Sequence, residues 1–136
     1  MTAAATAEVE RLARAYYGAL EEGTDLACFY ATDAAAGPLG PVVKIGSDAG
    51  EEYVGWAATE RALAGVRRAF ARNRLESRGR LVRVAGDVAW FYDCVWWSGE
   101  VDGRPFGSLT RWTGVCLRTT GGWRFVQVHV SEGVSP

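Results

Sequence analysis

Metal ligation and disulfide chemistry have little to draw on in this sequence. One histidine, His129, and three cysteines, Cys28, Cys94 and Cys116, are spread over 136 residues, and no two cysteines form a CxxC pair. That spacing excludes a zinc-binding motif. Three thiols cannot all pair, which fits a reducing compartment and buried, structural cysteines acting as small hydrophobes. Excess charge of one sign is missing too: the formal net charge is −1, so no global field steers the chain to nucleic acid or to an anionic membrane. No stretch approaches the roughly 18 consecutive apolar residues of a membrane span, and residues 1–7 lack the basic start and apolar run of a secretory signal. The expectation is a cytoplasmic protein with neither nucleic acid nor membrane as a partner. No glycine-rich phosphate loop and no nucleophile elbow occurs, and nothing in the pattern calls for a metal or another cofactor.

Aromatic side chains are what the sequence has in abundance. Six tryptophans stand in a chain that is otherwise ordinary, with 49% hydrophobic and 23% charged residues. A chain of this length reads as one domain over residues 1–136, burying roughly 65–70% of its unfolded surface. Composition leaves open whether the aromatics build a core, a dimer interface or a ligand cage.

Periodicity divides the chain in two. Val9, Leu12, Ala13, Tyr16 and Leu20 recur at three-to-four-residue spacing and predict an amphipathic helix over 6–22, ended by Gly23. Thr24 is placed to cap a short helix over 24–30, and Gly37-Pro38 and Gly40-Pro41 mark a loop. Residues 42–45 form a short apolar run closed by Gly46-Ser47-Asp48-Ala49-Gly50, a cluster of turn formers. A third helix is expected over 59–75, with Leu63, Val66, Phe70 and Leu75 on one face and its arginines solvated. From Arg80 the pattern changes to strands at 80–85, 87–97, 107–118 and 123–131, punctuated by Gly86-Asp87, Asp102-Gly103 and Gly121-Gly122. Helices first and an antiparallel meander last predict an α+β fold with the helices covering the concave face of a curved sheet.

Three segments carry a resemblance. Val42-Val43-Lys44-Ile45-Gly46-Ser47-Asp48 with Glu51-Glu52-Tyr53-Val54-Gly55, then Asp87-Val88-Ala89-Trp90-Phe91, and finally Gly122-Trp123-Arg124-Phe125-Val126-Gln127-Val128-His129-Val130-Ser131 are similar to successive elements of SnoaL-like proteins. These belong to the nuclear transport factor 2-like superfamily, which includes ketosteroid isomerases, polyketide cyclases, epoxide hydrolases, dehydratases and non-catalytic assembly domains. The resemblance implies a cone-shaped α+β barrel around one pocket, and a homodimer formed through the outer sheet surface. It does not select a function. Gln127-Val128-His129 stands where that branch often carries His-x-His, and the carboxylate general base of ketosteroid isomerases has no counterpart.

Alternation along the strands defines two faces. If Arg118 pairs with Trp123 and Asp93 with Arg111, then Trp90, Tyr92, Cys94, Trp96, Trp112, Gly114, Cys116, Phe125, Gln127 and His129 share one face. The other then carries Phe91, Asp93, Val95, Trp97, Arg111, Val128 and Val130. A one-residue slip in either hairpin reshuffles both sets. The aromatic face is the expected pocket, because ligand sites combine apolar walls with a few placed polar groups. Its acid–base candidate is His129, with Gln127 orienting a carbonyl and Tyr92 or Tyr16 donating to developing negative charge. Trp90, Trp96, Trp112, Phe125 and Tyr16 are the expected ligand contacts, and Asp93 with Arg111 a secondary pair that either anchors an acidic ligand or ties the strands together.

Two functions remain in view. One is a cofactor-independent isomerase, cyclase or dehydratase acting by proton transfer on a small apolar carbonyl compound. The other is a non-catalytic ligand-binding or dimeric assembly module.

Overall fold

A computed structural model describes residues 2–32 and 37–133. Helix α1 (Thr2–Glu22) turns the first apolar periodicity into a buried stripe of Ala5, Val9, Ala13 and Tyr16, joined by Tyr17. It starts earlier than the periodicity predicts and stops at Gly23, whose φ of +70° is the left-handed geometry that closes helices. The helix expected over 24–30 is reduced to a single 3-10 turn, Ala27–Phe29. A second such turn, Gly37–Leu39, leads to strand β1 (Val43–Ile45), which forms a hairpin with a strand not foreseen from the sequence, β2 (Glu52–Val54).

Helix α2 (Trp56–Ala69) buries Thr59 and Leu63, and it ends well before the expected Leu75. Phe70 is already in extended backbone and begins β3 (Phe70–Ala85), which runs straight on from the helix. The helical spacing of Phe70 and Leu75 was misleading because pairing with β4 (Val88–Val101) decides their conformation. Phe70 packs on the rings of Trp97 and Phe106, a cross-strand cluster that no local preference encodes. Strands β5 (Arg104–Thr119) and β6 (Gly122–Glu132) complete the meander.

The six strands form one sheet in the order β2-β1-β6-β5-β4-β3, antiparallel except where β1 lies parallel to β6. Its edges, β2 and β3, do not pair, so the sheet is curved but unclosed. Irregularities in β3 and between β5 and β6 supply local bends. Both helices pack on the concave side, where Phe91, Val95, Cys116, Phe125 and Val128 are buried against α1.

Register settles which side chains reach that concave side. Asp102 and Gly103, with φ of 52° and 75°, make a two-residue turn that sets Val101 opposite Arg104. Asp93 therefore faces Trp112, and Arg111 faces Cys94, one residue away from the expected pairing. In the last hairpin Arg118 does pair with Trp123, but a bulge follows: Cys116 faces Phe125 and Val115 faces Gln127. Beyond it the alternation of β6 is inverted relative to expectation.

Candidate functional site

A cavity of about 310 Å³ lies between the helices and the concave face of the sheet. Its apolar walls come from Leu63 and Val66 of α2, Phe70 and Leu75 of β3, and the indoles of Trp97 and Trp112. The two indole N–H groups are already satisfied. Trp97 donates to Asn73 Oδ1 at 2.9 Å, and Trp112 donates to Thr110 Oγ1 at 2.6 Å. Those rings therefore offer a ligand apolar surface. Volume and lining suit a small molecule of one or two rings.

One wall ends in Tyr16 of α1. Its ring meets Phe29, Tyr30, Trp112 and Phe125 edge-on, and its hydroxyl hydrogen-bonds to that of Tyr30. Burial pushes the Tyr16 phenol well above its ordinary pKa, and the Tyr30 hydrogen bond offsets only part of that rise. Tyr30 is raised by burial and then by Tyr16 itself. Both stay protonated at neutral pH. Two phenols sharing one hydrogen bond use one proton of two, which leaves an O–H available for another acceptor.

Part of the lining is polar. Lys44 of β1 and Ser47, Asp48 and Glu51 of the following turn form this part, together with Glu132 at the end of β6. Lys44 points inward because it pairs with Val128 and is flanked by strand neighbours of lesser burial, and only 9% of it is exposed. Burial lowers its pKa, and the attraction of Glu51 recovers only part of the loss. The Glu51 carboxylate is held in the turn, where Oε1 accepts the Asp48 N–H at 2.7 Å.

Beside the cavity a second polar cluster closes on itself. Asp93 is wholly buried and accepts from the Tyr17 hydroxyl, the Ser77 hydroxyl and Arg80 Nε, at 2.9, 2.7 and 3.0 Å. It is not among the residues lining the cavity.

The residues singled out from the sequence are thus divided. Tyr16 and Trp112 line the cavity, and Phe125 supports them from the core. His129, Gln127 and Tyr92 lie on the convex face instead, with Trp90, Trp96 and Arg111, in register with Thr113, Val115 and Leu109. The expected common face is corrected by the turn at Asp102-Gly103 and by the bulge near Phe125. Asp93 and Arg111 are on opposite faces and do not pair. Cys116 is buried as expected and its thiol is pushed up to about 12 by desolvation, whereas Cys28 is exposed.

Lys44 was missed. The available signal was compositional, since the sequence contains fourteen arginines and this single lysine. Its neighbours Val43 and Ile45 flank it in a short strand, which on periodicity alone leaves its face undetermined. Among the described residues no cluster of three His, Cys, Asp or Glu side chains could hold a metal ion, and no helix is long and apolar enough to cross a membrane.

Comparison with known proteins agrees with this geometry. The sequence profile of the SnoaL-like domain matches residues 9–135. A dehydratase candidate of the nuclear transport factor 2-like family from Streptomyces avermitilis superposes with a TM-score of 0.86 at 24% identity, over 96% of each chain. An aromatic ring hydroxylase candidate from Novosphingobium aromaticivorans gives 0.83 at 19% identity, over 99% of this chain and 93% of that one. A ketosteroid isomerase candidate from Shewanella frigidimarina gives 0.69 at 16% identity, over 89% and 92%. At these identities the likeness is one of fold. No curated protein is similar enough in sequence to count as a relative.

Proposed function

This chain belongs to the SnoaL-like domain family, and on that premise we propose that it binds a small, largely apolar carbonyl compound and acts on it by proton transfer without a cofactor, as an isomerase, cyclase or dehydratase. The observation that carries this reading is Tyr16 in the wall of a largely apolar cavity, with its hydroxyl hydrogen-bonded to that of Tyr30 behind it. With Tyr30 donating to Tyr16, the Tyr16 proton is free to meet a ligand oxygen. A neutral donor fixed in a desolvated site stabilises the charge that grows on a carbonyl oxygen as an adjacent C–H is removed. The carboxylates of Asp48, Glu51 and Glu132 line the same cavity and supply candidate bases. The donor and base roles expected of Tyr92 and His129 pass to these groups. Free thiols support a cytoplasmic setting.

The test is a titration with aromatic and bicyclic ketones followed by tryptophan fluorescence, paired with NMR detection of deuterium uptake next to the carbonyl. Tyr16→Phe should weaken binding about tenfold, the value of one lost hydrogen bond of roughly 1.4 kcal/mol, and should slow exchange further. Equal binding and exchange in the variant would remove Tyr16 from the site.

A specific observation also favours the assembly reading. The convex face exposes Trp90 at 46% and Leu109 at 49%, beside the exposed Tyr92 and Leu81. An apolar patch of this kind on a sheet suits a second copy of the chain. Sedimentation should show a dimer that Trp90→Glu dissociates, and a monomeric wild-type protein at high concentration would count against it.

A further inference from the structure

We propose that Lys44 is a covalent capture site, whose amine condenses with an aldehyde or ketone held in the cavity to form a reversible imine. The inference rests on the reading that the cavity takes a carbonyl compound, and it assigns the group that engages the carbonyl carbon.

Lys44 lines the cavity while being nine-tenths buried. A lysine kept for stability alone is expected to form an ion pair, because an unpaired buried ammonium is costly. Among the described residues, none of the ion pairs and none of the side-chain hydrogen bonds includes Lys44. Its nearest electrostatic partner, Glu51, is engaged with the Asp48 backbone. The amine thus faces the cavity with only the attraction of Glu51 and no direct ion pair or side-chain hydrogen bond.

The surrounding groups indicate what it can take. Asp48 and Glu51 of the adjoining turn and Glu132 of β6 are acidic, Tyr16 of α1 is a neutral phenol, and α2 contributes only apolar side chains. Three carboxylates against one amine leave the cavity negative overall, which disfavours a carboxylate or phosphate ligand. A neutral carbonyl brings no charge. Burial also favours the neutral, nucleophilic form of the amine. None of the fourteen arginines could do this chemistry, since a guanidinium does not deprotonate in a protein.

The step balances without any co-reactant. The nitrogen lone pair attacks the carbonyl carbon, a C–N bond forms, and the C–O π pair moves onto oxygen. A proton passes from nitrogen to that oxygen, giving a carbinolamine, and water leaves to give the imine. Protonated, the imine is a cation beside Asp48, Glu51 and Glu132, which explains an acidic rim around a single buried amine. It also acidifies the neighbouring C–H; in that step the nitrogen takes up the charge, and Tyr16 serves the oxygen earlier, as the carbinolamine forms and loses water.

The protein is incubated with 2-naphthaldehyde and sodium cyanoborohydride, which reduces an imine to a stable secondary amine, and the product is mapped by peptide mass spectrometry. One lysine and the N-terminal amine are the only primary amines, so the assignment is unambiguous. The expected result is a single adduct on Lys44, formed at least about tenfold faster in folded protein than in urea because the cavity concentrates the aldehyde beside the amine. Lys44→Arg, or Lys44→Met if the former fails to fold by circular dichroism, should give no cavity adduct. Labelling of the N-terminal amine alone, or equal rates in urea, overturns the proposal. Fluorescence titration with the aldehyde, without reductant, separates the two readings. Saturable binding without a Lys44 adduct sinks the imine and leaves the pocket, whereas no saturable binding sinks both.

Discussion

Arg80 donates from Nε to Asp93 Oδ2 at 3.0 Å, and its Nη1 reaches Glu10 Oε2 at 2.6 Å, so one guanidinium ties β3 both to β4 and to α1. The Arg80 side chain also lies over the ring of Tyr17, whose hydroxyl donates to the same carboxylate. Asp93 has no solvent exposure, and its other carboxylate oxygen accepts from the Ser77 hydroxyl.

Removing the guanidinium leaves the buried Asp93 carboxylate with only the Tyr17 and Ser77 hydroxyls as donors and no opposite charge. Arg80→Ala is expected to destabilise the protein by about 3–5 kcal/mol in urea unfolding. Arg111→Ala, the partner the strand spacing suggested for Asp93, should stay within about 0.5 kcal/mol, as exposed positions do. Similar costs for the two would contradict the register.

Gly114 sits on the concave face opposite Phe91, and a Cβ placed there would come within 2.3 Å of the Phe91 ring. Phe91 is itself buried and cannot swing away. Gly114→Ala should therefore cost about 1–3 kcal/mol through overpacking, measured by thermal or urea melts. A neutral outcome would mean that the core next to α1 is looser than its burial indicates.

Burial, only partly offset by the attraction of Glu51, holds the Lys44 amine below its ordinary value of 10.5, which the unfolded chain retains. Between those two values the unfolded state binds more protons, so the contribution of Lys44 to stability rises with pH across that window. Below the folded-state value the penalty for charging a buried amine is complete. Lys44→Met removes the penalty and should be more stable by about 1–3 kcal/mol at the acidic side of the window. The gap should close as pH approaches 10.5. A difference that is constant with pH would show that Lys44 is not desolvated.

His129 shares the convex face with Thr113, its pairing partner on β5. His129→Ala should leave ketone binding to the cavity unchanged within twofold, in the same fluorescence titration that detects the loss in Tyr16→Phe. A tenfold or larger loss would return the acid–base role to the outer face.

Much of this architecture was legible in the sequence because it is encoded locally. Apolar residues at helical spacing placed α1, turn pairs punctuated the meander, and of the expected ligand contacts Tyr16, Trp112 and Phe125 are buried while Trp90 is exposed. The junction of α2 and β3 was not legible, since Phe70 and Leu75 satisfy a helical period as well as a strand. Asp102-Gly103, as the two central residues of a hairpin turn, also encodes the register that sets Asp93 against Trp112.

The bulge near Phe125 is different in kind. Nothing in Phe125-Val126-Gln127 announces that two residues of β6 stand where one of β5 would suffice, yet this inverts the strand and carries Gln127 and His129 outward while bringing Val128 and Val130 in. The sequence by itself determined α1, the order of helices before a meander of strands, and the aromatic character of the interior, because spacing and turn residues act over a few positions. Only the tertiary structure decided which face meets the cavity and that Lys44 belongs to it. Side-chain parity in a strand changes with every single-residue shift, and the shift is chosen by packing between strands far apart in the chain.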